Sequence, residues 1–229
     1  ITDGPWAGRT LYDLYEWAHT PWEWHEALFA HAAKRGITLF SSPFDPTAVD
    51  LLEGLGAPAF KIASFEAVDL PLIRYVASIG KPMIISTGMA DVEEITEAVE
   101  AARAGGCAEL ALLHCVSGYP APASDYNLKT LTDMAERFGV PVGLSDHTLT
   151  HDSAVISVAL GACVIEKHLT LSRDETGPDT AFSLTPAEFG DLVEAIRRTE
   201  RCLGRVHYGP TASDEQNVAF RRSLFAVGD

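Results

Sequence analysis

Cysteine is scarce in this chain of 229 residues, and its four copies, Cys107, Cys115, Cys163 and Cys202, include no C-x-x-C pair. A disulfide framework is therefore not expected. Three of the four fall within or beside apolar segments, which predicts buried free thiols and fits a reducing cytoplasm. Cations are also few: 17 Lys and Arg stand against 32 Asp and Glu, a formal charge of -15. Such a balance excludes a broad nucleic-acid surface and requires that any anionic ligand be met by locally placed cations. No apolar stretch approaches the roughly 20 residues that span a bilayer, and no basic segment precedes an apolar one as in a signal peptide, so no membrane insertion or secretion is expected. A Gly-rich G-x-G-x-x-G turn is missing as well, which argues against a doubly wound dinucleotide-binding sheet.

What the chain does have is 47% hydrophobic and 21% charged residues, enough for one soluble domain with a substantial core. From residue 37 onward, short β-prone runs alternate with longer amphipathic ones. Strands are predicted at 37–41, 59–64, 82–87, 110–115, 142–147 and 164–169. A helix follows each. Asp91 is an N-cap followed by acidic first-turn residues, and Val92–Ala104 has the apolar spacing of a helix laid on a sheet. Thr185 and Glu188 form a capping box around Pro186. Strand, polar tip and helix in repetition imply parallel pairing, and polar tips on every strand imply one shared mouth: an α/β chain of the TIM (β/α)8 type. About six units are present, residues 1–22 read as a loop leading to a helix at 22–33, and two leading units are missing. Because the chain starts with Ile1 and stops at Asp229, residues 1–229 are expected to be a partial barrel domain.

The strand tips carry the chemistry. In order they offer Ser41 and Ser42; Lys61, Ser64 and Glu66; Ser86 and Thr87; His114, Ser117 and Tyr119; Ser145, Asp146 and His147; and Glu166 and His168. His147 and His168 end successive predicted strands, so both imidazoles can grip one ion at the mouth. Two imidazoles with oxygen donors and waters suit a divalent ion such as Mn2+ better than a closed structural zinc site. Lys61 points inward by period-two alternation, where an ammonium needs a phosphate or carboxylate partner. Ser64, Ser86 and Ser145 add neutral donors. Asp146 either orients an imidazole or a metal-bound water, or caps the next helix. Glu166 shares a face with His168 and either supports the metal ligands or pairs with Lys81 or another barrel lysine, whereas Lys167 should face the helices. The Gly177-Pro178-Asp179 turn can aim Asp179 into the mouth for hydroxyl recognition, though an ordinary turn is the plainer reading. His19, His25, His31, His151 and His207 read as structural or solvent-facing, and Trp17, Trp22 and Trp24 as packing residues.

These residues resemble the sialic-acid-synthase family, whose members condense phosphoenolpyruvate with an N-acylated sugar to make nine-carbon nonulosonic acids. The resemblance is carried by Phe40-Ser-Ser-Pro-Phe44, Lys61-Ile-Ala-Ser64, Gly80-Lys-Pro-Met-Ile-Ile-Ser-Thr-Gly-Met89, Leu113-His-Cys115 with Tyr119-Pro120, Gly143-Leu-Ser-Asp-His-Thr148, Glu166-Lys-His168 and Gly177-Pro-Asp179. Gly8-Arg-Thr-Leu-Tyr-Asp-Leu-Tyr15, His19-Thr-Pro-Trp-Glu-Trp-His25 and Ala63-Ser-Phe-Glu66 look most like the pseudaminic acid synthases within it. The resemblance implies that His147 and His168 bind Mn2+, with Mg2+ or Co2+ as substitutes. It implies that Ser42, Lys61, Ser64, Ser86, Tyr119 and Ser145 surround phosphoenolpyruvate, and that Glu66 and Asp179 face the sugar as catalytic groups. Ser117 stands where several relatives carry Asn, so its phosphate contact is weakened or replaced. A catalytic glutamate and a lysine from the first two strands, a C-terminal antifreeze-like domain, and a homodimer are further family features that this chain does not display. The implied sugar is 2,4-diacetamido-2,4,6-trideoxy-L-altrose, giving pseudaminic acid and phosphate; an N-acetylneuraminate or legionaminate precursor is the alternative. A metal-dependent aldolase, which would release no phosphate, and a non-catalytic sugar-binding barrel fragment are the readings from other classes.

Overall fold

The computed structural model describes residues 1–2, 4–222, 224 and 228. Among them, five strands form one parallel sheet in chain order: β1 (Phe60–Ile62), β2 (Met83–Ser86), β3 (Leu110–Cys115), β4 (Val142–Asp146) and β5 (Val164–Lys167). Eight α-helices accompany them. Three precede the sheet: α1 (Leu11–Ala18), α2 (His25–Arg35) and α3 (Pro46–Gly54). The others follow one strand each: α4 (Leu70–Ser78), α5 (Val92–Ala104), α6 (Thr130–Phe138), α7 (Asp152–Ala159) and α8 (Pro186–Leu203). Every strand-to-strand connection thus contains the long crossover that parallel pairing requires. This is an incomplete (β/α) barrel.

The predicted caps hold. Asp91 accepts from the Glu94 N–H at 2.9 Å and Glu94 returns the bond to the Asp91 N–H at 2.9 Å, while the Thr185 N–H donates to Glu188 at 2.8 Å. These bonds satisfy N–H groups that have no partner inside the helix.

Several expectations fail. Residues 37–41 are not a strand: Ser41 makes one isolated bridge to Phe60, because the segment has a pairing neighbour on one side only and Ile37 remains 64% exposed. Residues 1–22 are not all loop, since Thr10 and Asp13 form a capping box that starts α1, and the helix expected at 22–33 is a 3-10 turn (Trp22–Trp24) followed by α2. Trp17, Trp22 and Trp24 are exposed rather than packed, with the Arg9 guanidinium over the Trp17 ring. Of the cysteines, Cys107 and Cys115 are buried, but Cys163, just past a turn, and Cys202, in the last turn of α8, are exposed.

Alternation divides the sheet into two chemistries. Phe60, Ile62, Met83, Ile85, Leu110, Leu112 and Val142 face outward into a core with Val49, Leu72, Ile73, Val76, Ala98 and Leu131 of the helices. The intervening residues face inward, and the ladder puts Cys115 beside Ser145 and Ser145 beside Glu166. Gly143 lets β4 approach its neighbours: a Cβ there would lie 2.3 Å from the Val164 carbonyl oxygen and 2.6 Å from Leu113 Cδ2. Gly143→Ala must displace the backbone of β5, so urea unfolding is expected to show a loss of at least about 2 kcal/mol; a loss within about 0.5 kcal/mol would show that the strands are free to separate.

Candidate active site

The inward residues meet in a cavity of about 310 Å³ at the downstream strand ends, lined by Ser42, Lys61, Ser64, Ser86, Tyr119, Ser145, His147, Glu166 and His168 together with Ala63, Phe65, Cys115 and Lys167. Its volume suits a small ligand. Lys61 enters from β1 with its side chain 8% exposed, and its Nζ lies 3.3 Å from Glu166 Oε2. The other Glu166 oxygen accepts from Ser145 Oγ at 2.6 Å. Glu166 therefore pairs with a barrel lysine, and that lysine is Lys61. Ser64 Oγ accepts from the Gly88 N–H at 3.1 Å; a Cβ at position 88 would stand 2.8 Å from that hydroxyl and 2.4 Å from Ser117 Oγ, so glycine is what admits both serines. Ser86 Oγ is buried without a hydrogen-bond partner. Such a hydroxyl costs about 1–3 kcal/mol unless a ligand satisfies it.

The two histidines lie just past the ends of β4 and β5, with ring centroids 5.2 Å apart and planes at 53°. His147 Nδ1 is 2.9 Å from the Val116 carbonyl oxygen, and its backbone N–H donates to the Tyr126 hydroxyl at 2.7 Å. A carbonyl only accepts, so Nδ1 carries the proton and Nε2 keeps its lone pair. His168 Nδ1 is 3.2 Å from Asp179 Oδ2, which fixes the second ring in the same sense. Imidazoles held at Nδ1 by a carbonyl or carboxylate turn Nε2 toward a ligand, as metal-bound histidines usually do, and the Cys115 side chain lies within hydrogen-bond contact of His147. Among the described residues no group of three or more His, Cys, Asp and Glu forms a metal-holding cluster.

The remaining expected residues fall into three groups. Asp179 reaches the site through His168. Glu66 follows Phe65 at the rim and does not line the cavity; its Oε2 is buried without a partner. Burial raises its pKa, and Asp69 adds to the shift against the opposing influence of its own backbone N–H and Lys61. Ser117 lines a neighbouring cavity with His114, Met89 and Met134, and its hydroxyl also lacks a partner. His114 is turned away from the mouth, its Nε2 bonded to the Tyr126 carbonyl, because it alternates with the inward Cys115. Asp146 makes no contact with either imidazole ring: it faces the helices and pairs with Lys167, itself outward as alternation requires.

Sequence reasoning missed the site's apolar wall. Phe182 lies 5.0 Å from Tyr119 and 5.0 Å from His168, and Trp6 lies 5.4 Å from Tyr119, all centroid to centroid. The Trp6 indole donates to the Pro178 carbonyl at 2.7 Å, tying the first residues of the chain to the turn that carries Asp179. Only the Gly-Pro step before Trp6 marked it, and that step read as loop. Burial pushes the Tyr119 phenol up to about 12, so it remains a donor at neutral pH. Cys115 was also missed; burial alone would raise its thiol, but His147, Ser64 and Ser145 beside it bring the pKa below the usual value.

Residues 1–208 match the NeuB family. This chain belongs to that family. It is 42% identical over 226 residues to the pseudaminic acid synthase of Helicobacter pylori, covering 98% of this chain and 66% of that one. It is 41% identical over 208 residues to the N,N'-diacetyllegionaminic acid synthase of Campylobacter jejuni, covering 90% of this chain and 62% of that one. The crystal structure of N-acetylneuraminic acid (sialic acid) synthetase from Leptospira borgpetersenii in complex with citrate superposes with a TM-score of 0.82 at 32% identity, over 90% of this chain and 72% of that chain. The chain spans about two thirds of the length of the relatives it matches, and its five-stranded sheet is part of the barrel of this NeuB-type fold.

The state of Glu66 gives a direct test. A carboxyl whose folded pKa is raised adds stability below its unfolded pKa and loses it as pH climbs through the folded value. Glu66→Gln is therefore expected to raise Tm by about 1–3 °C at pH 7, with the gain vanishing as pH falls through the usual carboxylate range. No gain at pH 7 would mean that Glu66 is ionised there without penalty.

Proposed function

We propose that this chain carries the condensing centre of a phosphoenolpyruvate-dependent nonulosonate synthase, with 2,4-diacetamido-2,4,6-trideoxy-L-altrose as the sugar and pseudaminic acid and phosphate as products. One observation supports the reading above all others: a buried ammonium and four serine hydroxyls share a small cavity with two imidazoles 5.2 Å apart. The choice of sugar rests on the motifs at residues 8–15 and 19–25 and on the likeness to pseudaminic acid synthases.

Lys61 with Ser64, Ser86 and Ser145 binds the phosphate and carboxylate of phosphoenolpyruvate, each hydroxyl donating to an anionic oxygen. Ser42 and Tyr119 bound this pocket at its sides, and Ser117 supports it from behind Ser64 through Gly88. His147 and His168 hold a divalent cation, Mn2+ with Mg2+ or Co2+ as substitutes. When bound, it supplies Lewis-acid polarisation of the open-chain sugar aldehyde. Asp179 orients His168 and receives a sugar hydroxyl, and Glu66, whose burial favours the protonated form, holds a proton on the sugar side. The rings of Trp6, Tyr119 and Phe182 limit water beside the imidazoles. In the reaction C3 of phosphoenolpyruvate bonds to the aldehyde carbon, whose oxygen takes a proton. A water oxygen then joins C2, and the C2–O bond to phosphate breaks. By family analogy the complete enzyme is a cytoplasmic homodimer with a C-terminal antifreeze-like domain.

The test is incubation of the full-length protein with phosphoenolpyruvate, Mn2+ and three N-acyl sugars, the pseudaminate, legionaminate and neuraminate precursors, with product masses and phosphate measured together. Pseudaminic acid with one phosphate per product is the expected result. A legionaminate or neuraminate mass would reassign the sugar, and product without phosphate release would replace the reading by an aldolase. His168→Ala is expected to keep a native far-UV spectrum and lose at least about 100-fold in phosphate release. Lys61→Ala should weaken phosphoenolpyruvate binding by at least about 10-fold in calorimetry; an unchanged dissociation constant would remove Lys61 from the site.

A further inference from the structure

Lys167 immediately precedes His168, and its Nζ lies 2.7 Å from Asp146 Oδ2 in an ion pair whose side chains are 1% and 0% exposed. The same ammonium donates to the Thr148 carbonyl and, at 3.3 Å, to Thr148 Oγ1. Asp146 and Thr148 are the residues on either side of His147. One lysine, placed next to the second imidazole, therefore grips the chain on both flanks of the first.

The location makes this grip consequential. β4 ends at Asp146 and β5 at Lys167, and these two residues are partners in the last row of the ladder. Both histidines lie one residue beyond that row, where strand hydrogen bonds no longer fix the spacing of the two chains. The carboxylate is itself held, Oδ1 accepting from the Thr148 N–H at 2.9 Å and Oδ2 from Ser153 Oγ in α7 at 2.9 Å. The Thr148 and Ser153 hydroxyls are 3.0 Å apart, which closes the network. A buried ion pair contributes little net stability over well-packed neutral residues of similar volume, so stability alone does not account for one here.

We propose that the Lys167–Asp146 pair is a positioning device that sets the separation and orientation of His147 and His168 for a shared divalent cation. It rests on the reading of those histidines as metal ligands. Neither residue touches the ion; Lys167 acts through Thr148 and Asp146 on His147, and through the backbone on His168.

The decisive variant is Asp146→Asn/Lys167→Met in the full-length protein. Asparagine keeps Oδ1 for the Thr148 N–H and offers Nδ2 as a donor to Ser153 Oγ, methionine fills the path of the lysine stem, and no charge is left buried alone. Three quantities are read: Tm, Mn2+ affinity by electron paramagnetic resonance of the free ion, and phosphoenolpyruvate affinity by calorimetry without metal. The expected result is a cooperative unfolding transition near that of the wild type, a Mn2+ dissociation constant raised about 10–100-fold, and unchanged phosphoenolpyruvate binding. Wild-type Mn2+ affinity in the folded double variant overturns the proposal, and so does a parallel loss of Mn2+ and phosphoenolpyruvate binding, which marks general damage to the barrel. If the double variant does not fold, Asp146→Asn alone decides, with about a 3–10-fold loss of Mn2+ affinity expected and an unchanged value overturning the role. Failure of the wild type to bind Mn2+ removes the metal reading itself, and this inference with it.

Discussion

A single register governs the site: β4 against β5, with Ser145 beside Glu166 and Asp146 beside Lys167. A slip of one residue would turn every side chain of one strand to the opposite face. Ser145 and His147 would enter the apolar layer under α7, and the Asp146 carboxylate would enter the cavity in their place. The alternation that buries Val142 and Leu144 outward is thus the same alternation that brings a hydroxyl and an imidazole inward. Packing enforces it. Leu144 and Val142 are 0% and 3% exposed, and exposing both by a slip would cost several kcal/mol at about 1.5–3 kcal/mol each.

Charge is the second organising element. In a chain of formal charge -15, two lysines are drawn into the site region and each is matched to a carboxylate, Lys167 of β5 to Asp146 on the adjacent β4 and Lys61 of β1 to Glu166 of β5 across the cavity. The two pairs are built differently. Lys167–Asp146 is bonded on both members to Thr148 and on Asp146 to Ser153, with side chains 1% and 0% exposed. Lys61–Glu166 is longer, at 3.3 Å, its carboxylate is 38% exposed, and it opens into the cavity. Burial of a charge without a partner is costly, so both lysines need their partners. Only the looser pair can exchange its partner for an incoming anion.

Much of this was legible in the sequence for physical reasons. β2 to β5 read as apolar runs because their outward faces are buried, α5 began and ended where its capping residues placed it, and the inward orientation of Lys61 followed from counting by twos. What escaped had signals of another kind. Residues 37–41 have a strand's composition but find a neighbour on one side only. Trp6 meets Pro178 across 172 positions, a contact that no local pattern encodes. Asp146 stood next to a histidine in sequence, and of the two readings left open for it, direct contact with the imidazole overlooked that successive strand residues face opposite ways. The same rule that placed Lys167 toward the helices would have placed Asp146 there too.

The open pair and the orphaned hydroxyl can be considered together. Glu166 accepts from both Lys61 and Ser145, while Ser86 finds no partner. An anionic ligand with several oxygens offers an acceptor to all three donors, and it adds a bond to Ser86 that no side chain of the cavity supplies. The gain in bonding is concentrated at Ser86, because Lys61 and Ser145 exchange one carboxylate oxygen for another. A neutral or singly acceptor-bearing molecule of the same size gains no such advantage. In the proposed function the cavity would select by number and charge of oxygens at its β1–β2 side and by the two imidazoles at its β4–β5 side, and the 3.3 Å Lys61–Glu166 contact joins the two sides.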